Sequence, residues 1–534
     1  MIDMSRELTL NEYKKAVEER GLLKGCAAEE DFSRRVDFVT YDSRQVRPGT
    51  LFVCKGASFK ADYLKSAVSD GAVAYISETE YPEGAGIPAI IVTDIRKAMP
   101  VLGDLFYDYP QKKLKITAFG GTKGKSTSTY YMKYVVDEYL ARLGKPESAV
   151  LSSIDNYDGV IREESHITTA ESLELHMHFD NAVSSGIEFL EMEVSSQALK
   201  YDRVMGVGFD VGVFMNISED HISPNEHADF EDYLSSKMKM FSLTKTAVVN
   251  LDSDCIDRVL DEAHASKEII TFSREDPSAD YYAHDVRKEG DSIFFEVSIS
   301  PRIKSAALSF EGEAGSGAEM PWKGEFELTM PGLFNVENAL GVIAAAISYG
   351  IPEDCIREGL RKAKSPGRME HFKSRDGLIN AFVDYAHNKL SFEALYSSAK
   401  KEYPASRIVG IFGCPGGKAY QRRYELPRTA AKYADKLYIC AEDPGPDPAE
   451  EISKEVAGYA GEAGIEYEEI EDRGAAIHKA IMEVRRPTVL LITGKGEETR
   501  QKYGTVYAPC RSDADYTQEF IREYDESPHH AFGK

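Results

Sequence analysis

Hydrophobic positions change period repeatedly along this chain, and each change marks an element. Leu8 to Arg20 has the spacing of a helix. The short apolar runs Thr50–Cys54, Val73–Ile76 and Ala89–Val92 then read as strands. Lys115–Phe119, Phe189–Val194 and Val211–Asn216 are of the same kind, each running into glycine or polar residues. The stretches between them carry helix faces: Met132, Val135, Val136, Tyr139 and Leu140 form one, and Phe230–Phe241 another. Ile293–Ile299 and Phe326–Met330 alternate apolar with polar, as antiparallel strands do, on either side of a Gly/Ala-rich connector at 311–318. A further helix starts after Pro331 and keeps its apolar face through Ile343 and Ala346.

Beyond a hinge-like Ser365-Pro366-Gly367, strands return at Ile379–Val383, Arg407–Phe412, Lys436–Cys440 and Pro487–Thr493. Ala476, Ile477, Ala480, Ile481 and Val484 supply a helix face between them. Alternation of this kind predicts an α/β protein with parallel sheets. Three domains are expected: a small α/β domain at 1–112, a central phosphate-loop domain at 113–365, and a Rossmann-like domain at 366–534.

Composition narrows the function classes. The 534 residues are 42 % hydrophobic and 29 % charged, with a formal net charge of −25, so no basic face for nucleic acid is expected. Seven cysteines lie scattered without a CxxC pair, which disfavours a zinc ribbon or disulfide scaffold and fits a reducing compartment. The N-terminus lacks the apolar core of a signal peptide, and no apolar run approaches ~18 residues. A cytoplasmic monomer acting on small molecules, without membrane or nucleic-acid partners, is expected. The Pro528-His-His530 tail reads as a solvated end.

The candidate chemistry starts where Lys115–Phe119 meets Gly120-Gly121-Thr122-Lys123-Gly124-Lys125-Ser126-Thr127 and the following helix. Glycines let backbone N–H groups approach a phosphate, and the helix N-terminus adds a favourable dipole. Lys125 is expected at the terminal phosphates and Ser126 at a Mg²⁺ ion. The usual GxxxxGK[ST] loop needs glycine at 119, where this chain has Phe119, so its loop is a shorter form. Glu193 and His221 follow strand ends and Lys237 lies on the helix beyond them. In a parallel sheet those ends converge on the ligand crevice. In the last segment, Asp384-Tyr-Ala-His387, Gly413-Cys-Pro-Gly-Gly417-Lys418, Glu442-Asp443-Pro444-Gly445 and Gly494-Lys-Gly-Glu-Glu498 lie at strand ends and suggest a second ligand face. Alone, Asp42-Ser43-Arg44 reads as a turn.

Taken together and in order, these motifs resemble those of the Mur ligases, ATP-dependent amide-forming enzymes of peptidoglycan precursor synthesis. Within that family the likeness is to the members that extend UDP-MurNAc-L-Ala-D-Glu with a diamino acid. The resemblance implies that Ser43 and Arg44 meet the UDP-sugar. Gly121, Thr122, Lys123, Gly124, Lys125, Ser126 and Thr127, similar to GTNGKTT, would hold ATP. Thr168-Thr169-Ala170-Glu171 is similar to TTPE, and Glu193-Val-Ser195-Ser196-Gln197 to EVSSH. With Arg203 these imply Thr168, Thr169, Ser195 and Arg203 as contacts of the muramoyl-peptide substrate. Asn216 to His221 and Lys237 to Phe241 match two more segments. They imply Ser126, Glu193, His221 and a carbamylated Lys237 (N6-carboxylysine) around Mg²⁺. Asn335, Arg368 and Asp384 would be further ATP-binding residues. Gly494-Lys-Gly-Glu-Glu498 resembles GKGHE with Glu497 in the histidine position. Lys125, Lys237, Glu193 and His221 are the implied catalytic set.

The amino acid to be added is read from Glu442 to Gly445. Diaminopimelate-adding members carry DNPR there, whose arginine can pair bidentately with the distal carboxylate. Here Gly445 stands in the arginine position, and Glu442, Asp443, Gly494 and Glu498 are the amino-acid candidates. An acidic cluster suits an ammonium better, so L-lysine is favoured, with ornithine and meso-diaminopimelate as alternatives. Lys418, Arg422 or Arg423 could supply the missing cation. More distant readings are a folylpolyglutamate synthetase-like ligase, against which the N-terminal segment speaks, and a catalytically silent paralogue.

Overall fold

The computed structural model describes residues 8–27, 32–56, 59–219, 222, 226–303, 305 and 322–527. Two compact units emerge: Met1–Tyr281 with Ser300–Ala318 and Gly341–Ile356, and Tyr282–Ile299 with Glu319–Leu340 and Arg357–Lys534. The connector at 311–318, the His529-His530 tail and His221 lie outside the described residues.

The first unit holds two sheets. In the N-terminal one, β1 (Leu23–Ala27), β2 (Phe38–Thr40), β3 (Thr50–Val53), β4 (Ala72–Ser77) and β5 (Ala89–Val92) are ordered β1-β5-β4-β3-β2. Strand alternation sends Leu51 and Val53 to one core with Tyr13, Val17, Met99 and Leu102, and Phe52 to the other with Leu64 and Tyr75. Both faces are therefore covered, as a mainly parallel sheet requires.

The second sheet is built from β6 (Lys115–Gly120), β7 (Ala149–Leu151), β8 (Asp155–Tyr157), β9 (Arg162–Glu164), β10 (Phe189–Glu193), β11 (Phe209–Phe214), β12 (Thr244–Asn250) and β13 (Glu268–Ser273). Its order is β9-β8-β7-β10-β6-β11-β12-β13, parallel except for the antiparallel β7-β8-β9 edge. Leu190 and Met192 pack with Leu175 and Phe179 of the helix Ser172–Ser184, and Phe214 and Val249 pack with Tyr233 and Phe241. The pairing Glu193↔Phe119 and Phe214↔Gly120 brings three strand ends to the glycine loop.

In the second unit, β14 (Tyr281–Glu289), β15 (Ser292–Ile299) and β16 (Trp322–Leu328) are consecutive neighbours, with β15 and β16 antiparallel. Then follow β17 (Glu370–Lys373), β18 (Ile379–Asp384), β19 (Arg407–Phe412), β20 (Lys436–Ile439), β21 (Glu466–Glu469) and β22 (Thr488–Thr493), ordered β17-β18-β22-β19-β20-β21. All but β17 run parallel. Ala381, Ile411, Leu490 and Ile492 pack with Ile477 and Ile521. The strands whose ends carry Asp384, Gly413, Glu442 and Gly494 are thus adjacent and parallel, so their four loops leave from one edge. Among the described residues no helix is long and apolar enough to cross a membrane.

Candidate active site

The glycine loop is shaped by two residues in the left-handed region, Gly121 at φ 137° and Gly124 at φ 85°. A Cβ on Gly121 would lie 3.0 Å from Met215 Cβ and 3.1 Å from the Asn216 backbone, so the loop is pressed against the end of β11. The loop is then fastened there. Thr122 N–H donates to Asn216 O at 2.9 Å and Lys123 N–H to Asn216 Oδ1 at 2.8 Å, while Asn216 Nδ2 donates to Lys123 O at 3.2 Å. Thr122 Oγ1 lies 3.0 Å from the Tyr233 hydroxyl and accepts from Ser218 N–H at 3.1 Å. Thr122 is therefore fixed inward, away from any ligand, and Asn216 holds the loop rather than merely following a strand.

Two lysines meet on one oxygen. Lys125 Nζ, at the first position of the helix Lys125–Arg142, donates to Gly121 O at 3.0 Å and to Thr122 O at 3.2 Å. Lys237 Nζ, from the last turn of the helix Phe230–Met238, donates to the same Gly121 O at 2.8 Å. Its side chain is buried, with the residue 3 % exposed, and the ammonium sits 4.8 Å from the centroid of the Tyr233 ring. Two ammonium groups sharing one acceptor repel each other, and burial removes the water that would screen them.

Across the loop the groups are oxygens. Ser126 Oγ lies 3.1 Å from Ser153 Oγ, and Ser153 donates through N–H (2.8 Å) and Oγ (3.0 Å) to Glu193 Oε1. Glu193 O accepts from Thr169 Oγ1 at 3.0 Å, and Thr169 Oγ1 accepts from Ser195 N–H at 3.0 Å. Ser195 Oγ caps the next helix by accepting from Ala198 N–H at 3.1 Å. Arg203 Nη1 donates to Thr169 O at 3.1 Å, and its Nη2 pairs with Glu171 at 3.0 Å. Glu171 also pairs with Lys55 at 2.8 Å. These three, with Arg96, Ser172 and Tyr201, line a cavity of about 90 Å³. Nearby in sequence, Asp42 caps the turn Ser43–Gln45 and accepts from Arg44 Nε and Nη2 at 2.9 and 2.7 Å. The Arg44 hydrogen bond holds the Asp42 carboxyl below its usual range.

The second unit has its own cluster. Asp384 accepts from Met369 N–H at 3.0 Å and Ala386 N–H at 2.7 Å, locking the residues after Arg368, whose guanidinium stacks 4.9 Å from the Tyr385 centroid. Asn335 Nδ2 donates to Pro331 O at 2.7 Å and so shapes the start of its own helix. Tyr385 donates to Glu498 at 2.5 Å, and buried Lys495 pairs with Glu498 (2.7 Å) and Asp443 (3.0 Å). Arg423 binds Asp447 at 2.6 Å and Glu455 at 2.8 Å, and Arg473 forms a buried pair with Asp513 at 2.6 Å. What remains is Glu442, 8 % exposed, with no hydrogen bond to its carboxyl among the described residues. Burial pushes that carboxyl up to about 7, against the pull of Arg422, Arg473 and Lys495. Gly494 faces it so closely that a Cβ there would be 2.8 Å from Glu442 Oε2. Glu497 is also raised, by burial and by its carboxyl neighbour Glu370.

The structure thus gathers Gly121, Thr122, Lys123, Gly124, Lys125, Ser126, Thr127, Glu193 and Lys237 at the end of β6, and Thr169, Ser195 and Arg203 beside them. Thr168 lies in the same loop as Thr169. Asp384, Glu442, Asp443, Gly494 and Glu498 sit along one sheet edge of the other unit. Ser153, Asn216, Tyr233, Lys55, Arg96, Tyr201 and Lys495 were missed as site residues. Ser153 and Lys55 belong to no recurrent motif; Asn216 closes a strand directly before a polar run, which was a usable signal.

Residues 119–346 match the Mur ligase middle domain, and residues 367–496 the Mur ligase glutamate ligase domain. A UDP-N-acetylmuramyl-tripeptide synthetase of Lactobacillus delbrueckii subsp. bulgaricus is 36 % identical over 532 residues, 97 % of this chain and 100 % of that one. The chain belongs to the Mur ligase family. It is an ATP-dependent peptide ligase. A UDP-N-acetylmuramoyl-L-alanyl-D-glutamate–L-lysine ligase of Enterococcus faecalis is 36 % identical, covering 92 % of each chain. Among solved structures, a UDP-N-acetylmuramoyl-L-alanyl-D-glutamate–2,6-diaminopimelate ligase shares the fold at TM-score 0.64 and 23 % identity, over 98 % of this Mur ligase and 100 % of that chain.

Proposed function

We propose that this Mur ligase joins L-lysine to UDP-MurNAc-L-Ala-D-Glu. ATP first converts the glutamyl carboxylate to an acyl phosphate, releasing ADP. The lysine amine then attacks the acyl carbon, phosphate leaves, and an amide forms. Residues 1–112, 113–365 and 366–534 are read as the UDP-sugar, ATP and amino-acid domains. Lys125 and the loop N–H groups balance phosphate charge as it shifts. Arg203, Thr168, Thr169 and Ser195 orient the peptide carboxylate, and Ser43 and Arg44 the uridine nucleotide. Asn335, Arg368 and Asp384 complete nucleotide binding.

A Mg²⁺ ion fits the oxygen set of Ser126 and Glu193, to which we add His221 and Lys237 as its carbamate. Bound there it would screen the repulsion between the two anions. For Lys237, the shared carbonyl is the supporting observation. Carbamylation would replace a repelling pair of cations with an attracting cation and anion.

The amine specificity rests on Glu442. Of the acids near the sheet edge, Asp447 is taken by Arg423 and Asp443 by Lys495, leaving Glu442 buried and, among the described residues, without an ion pair of its own. An ammonium would restore its charge balance, whereas a second carboxylate would worsen it. Gly445 adds to this, since at φ 55° it occupies a backbone conformation that arginine adopts only with strain. The name of the Enterococcus relative supports the same choice. The deciding assay is phosphate release from ATP with UDP-MurNAc-L-Ala-D-Glu and each of L-lysine, L-ornithine and meso-diaminopimelate. Lysine is expected to turn over fastest; turnover with diaminopimelate but not lysine overturns the choice.

A further inference from the structure

A second cluster of ligating side chains lies at the opposite edge of the central sheet from β13, three strand positions beyond β10. Glu163 comes from β9, while Glu174 and His178 stand four residues apart on the helix Ser172–Ser184, hence on one helix face. One ligand atom from each lies within 4.8 Å of the others. The histidine is fully buried, and its Nδ1 lies 2.7 Å from Asp158 Oδ2. Asp158 is held as an acceptor by several donors. Its Oδ1 accepts from Val160 N–H at 2.9 Å and from Ile161 N–H at 2.7 Å, and its Oδ2 accepts from Asn181 Nδ2 at 2.9 Å. Nδ1 must therefore be the nitrogen that donates. That leaves Nε2, which is buried and has no hydrogen-bond partner among the described residues.

A neutral imidazole so held keeps a bare lone pair on Nε2, in a cluster where one nitrogen of this ring lies within 4.8 Å of an oxygen of Glu163 and of Glu174, acceptor against acceptors. Such an arrangement is unfavourable unless a cation stands between them. A carboxylate holding Nδ1–H and presenting Nε2 is also the orientation that metal-bound histidines adopt. We propose that His178, Glu163 and Glu174 bind a divalent transition-metal ion such as Zn²⁺, with Asp158 as the positioning residue. One nitrogen and two carboxylate oxygens suit a borderline ion better than Mg²⁺. Ligand atoms on one tetrahedral ion stand roughly 3.4 Å apart, so closure asks for a shift of only about 1 Å, which exposed Glu163 can make. The ion would clip β9 to the helix that follows and so brace residues 165–171, the loop carrying Thr168, Thr169 and Glu171. This site is distinct from the oxygens around Ser126 and Glu193, and its reading does not depend on the amino acid added.

The test is Zn²⁺ titration by calorimetry of the full-length, chelator-stripped protein with Mg²⁺ in excess, paralleled by the visible spectrum of bound Co²⁺. One tight site is expected, weakened at least about 10-fold by Glu163→Gln and by Glu174→Gln. Amide exchange in residues 165–171 should slow on Zn²⁺ addition in the wild type and not in these variants. Glu163 is exposed, so its variant tests binding without risk to the core. Absence of Zn²⁺ and Co²⁺ binding overturns the proposal. So does binding that survives both variants but is lost in Glu193→Gln, or in a His284→Gln variant of the other three-residue cluster, His284, Asp285 and Glu296.

Discussion

The phosphate loop of the first unit and the acidic edge of the second handle charge in opposite ways. Around Gly121 the charges converge: two lysines crowd one carbonyl oxygen, and the loop is tied to Asn216. At the edge of the C-terminal sheet the charges cancel pairwise, Asp443 with Lys495 and Asp447 with Arg423, and one acid is left over. A site for a polyanion can be assembled from a single contiguous loop, because backbone N–H groups supply most of the field. A site that chooses among amino acids depends on what remains after neighbours have been neutralised. That residue is Glu442, which the motif comparison named together with Asp443, Gly494 and Glu498 and which only the pairing of its neighbours sets apart.

The comparison can be broken first at the phosphate end. Lys125→Ala should lower kcat by at least about 100-fold while leaving the melting temperature unchanged. A small loss would mean that the loop N–H groups alone balance the charge. Lys237→Ala should cost roughly 100-fold in kcat. Added formate or acetate should restore part of it, and a lack of rescue would leave Lys237 as a plain ammonium.

At the acidic edge, Glu442→Gln should raise KM for lysine by roughly 10- to 100-fold, the loss of one charge-assisted contact. The same residue sharpens the comparison through pH. Its carboxyl is raised from 4.5 to about 7 in the folded protein, so the native state holds a proton that the unfolded chain has released between those values. Stability from this group is complete below about pH 4.5 and is lost as pH rises to about 7, by roughly 3 kcal/mol. Denaturation of Glu442→Gln should lack that decline. The smallest effect is expected from Gly445→Arg: about 1–2 kcal/mol of destabilisation from its positive φ, without gain of diaminopimelate turnover.

Much of the fold was legible because it follows from local periodicity. The strand at Arg407–Phe412 has the expected bounds, and those at 115–120 and 379–384 differ by one residue. The run Pro487–Thr493 loses only Pro487, which has no N–H to pair, and the helix expected over 230–241 ends as an α-helix at Met238. The α/β class with a parallel central sheet, supported by solved structures of the same fold, was readable for that reason. The glycine loop was legible too, being contiguous and constrained by backbone conformation.

Long-range partners were not. The sequence placed Lys237 near the phosphate loop only through the family pattern; that it shares Gly121 O with Lys125 is decided by how the helix Phe230–Met238 packs. Ser153, which bridges Ser126 and Glu193, sits in a segment with no motif at all. Likewise Arg423 looked available to bind a substrate carboxylate, and only the fold shows it paired with Asp447 and Glu455. The sequence by itself determined the elements, the loop and the family, because these depend on neighbours a few residues apart. Tertiary structure alone decided which charges are satisfied and which are left over. Burial and pairing join residues tens to hundreds of positions apart, and no local pattern records them.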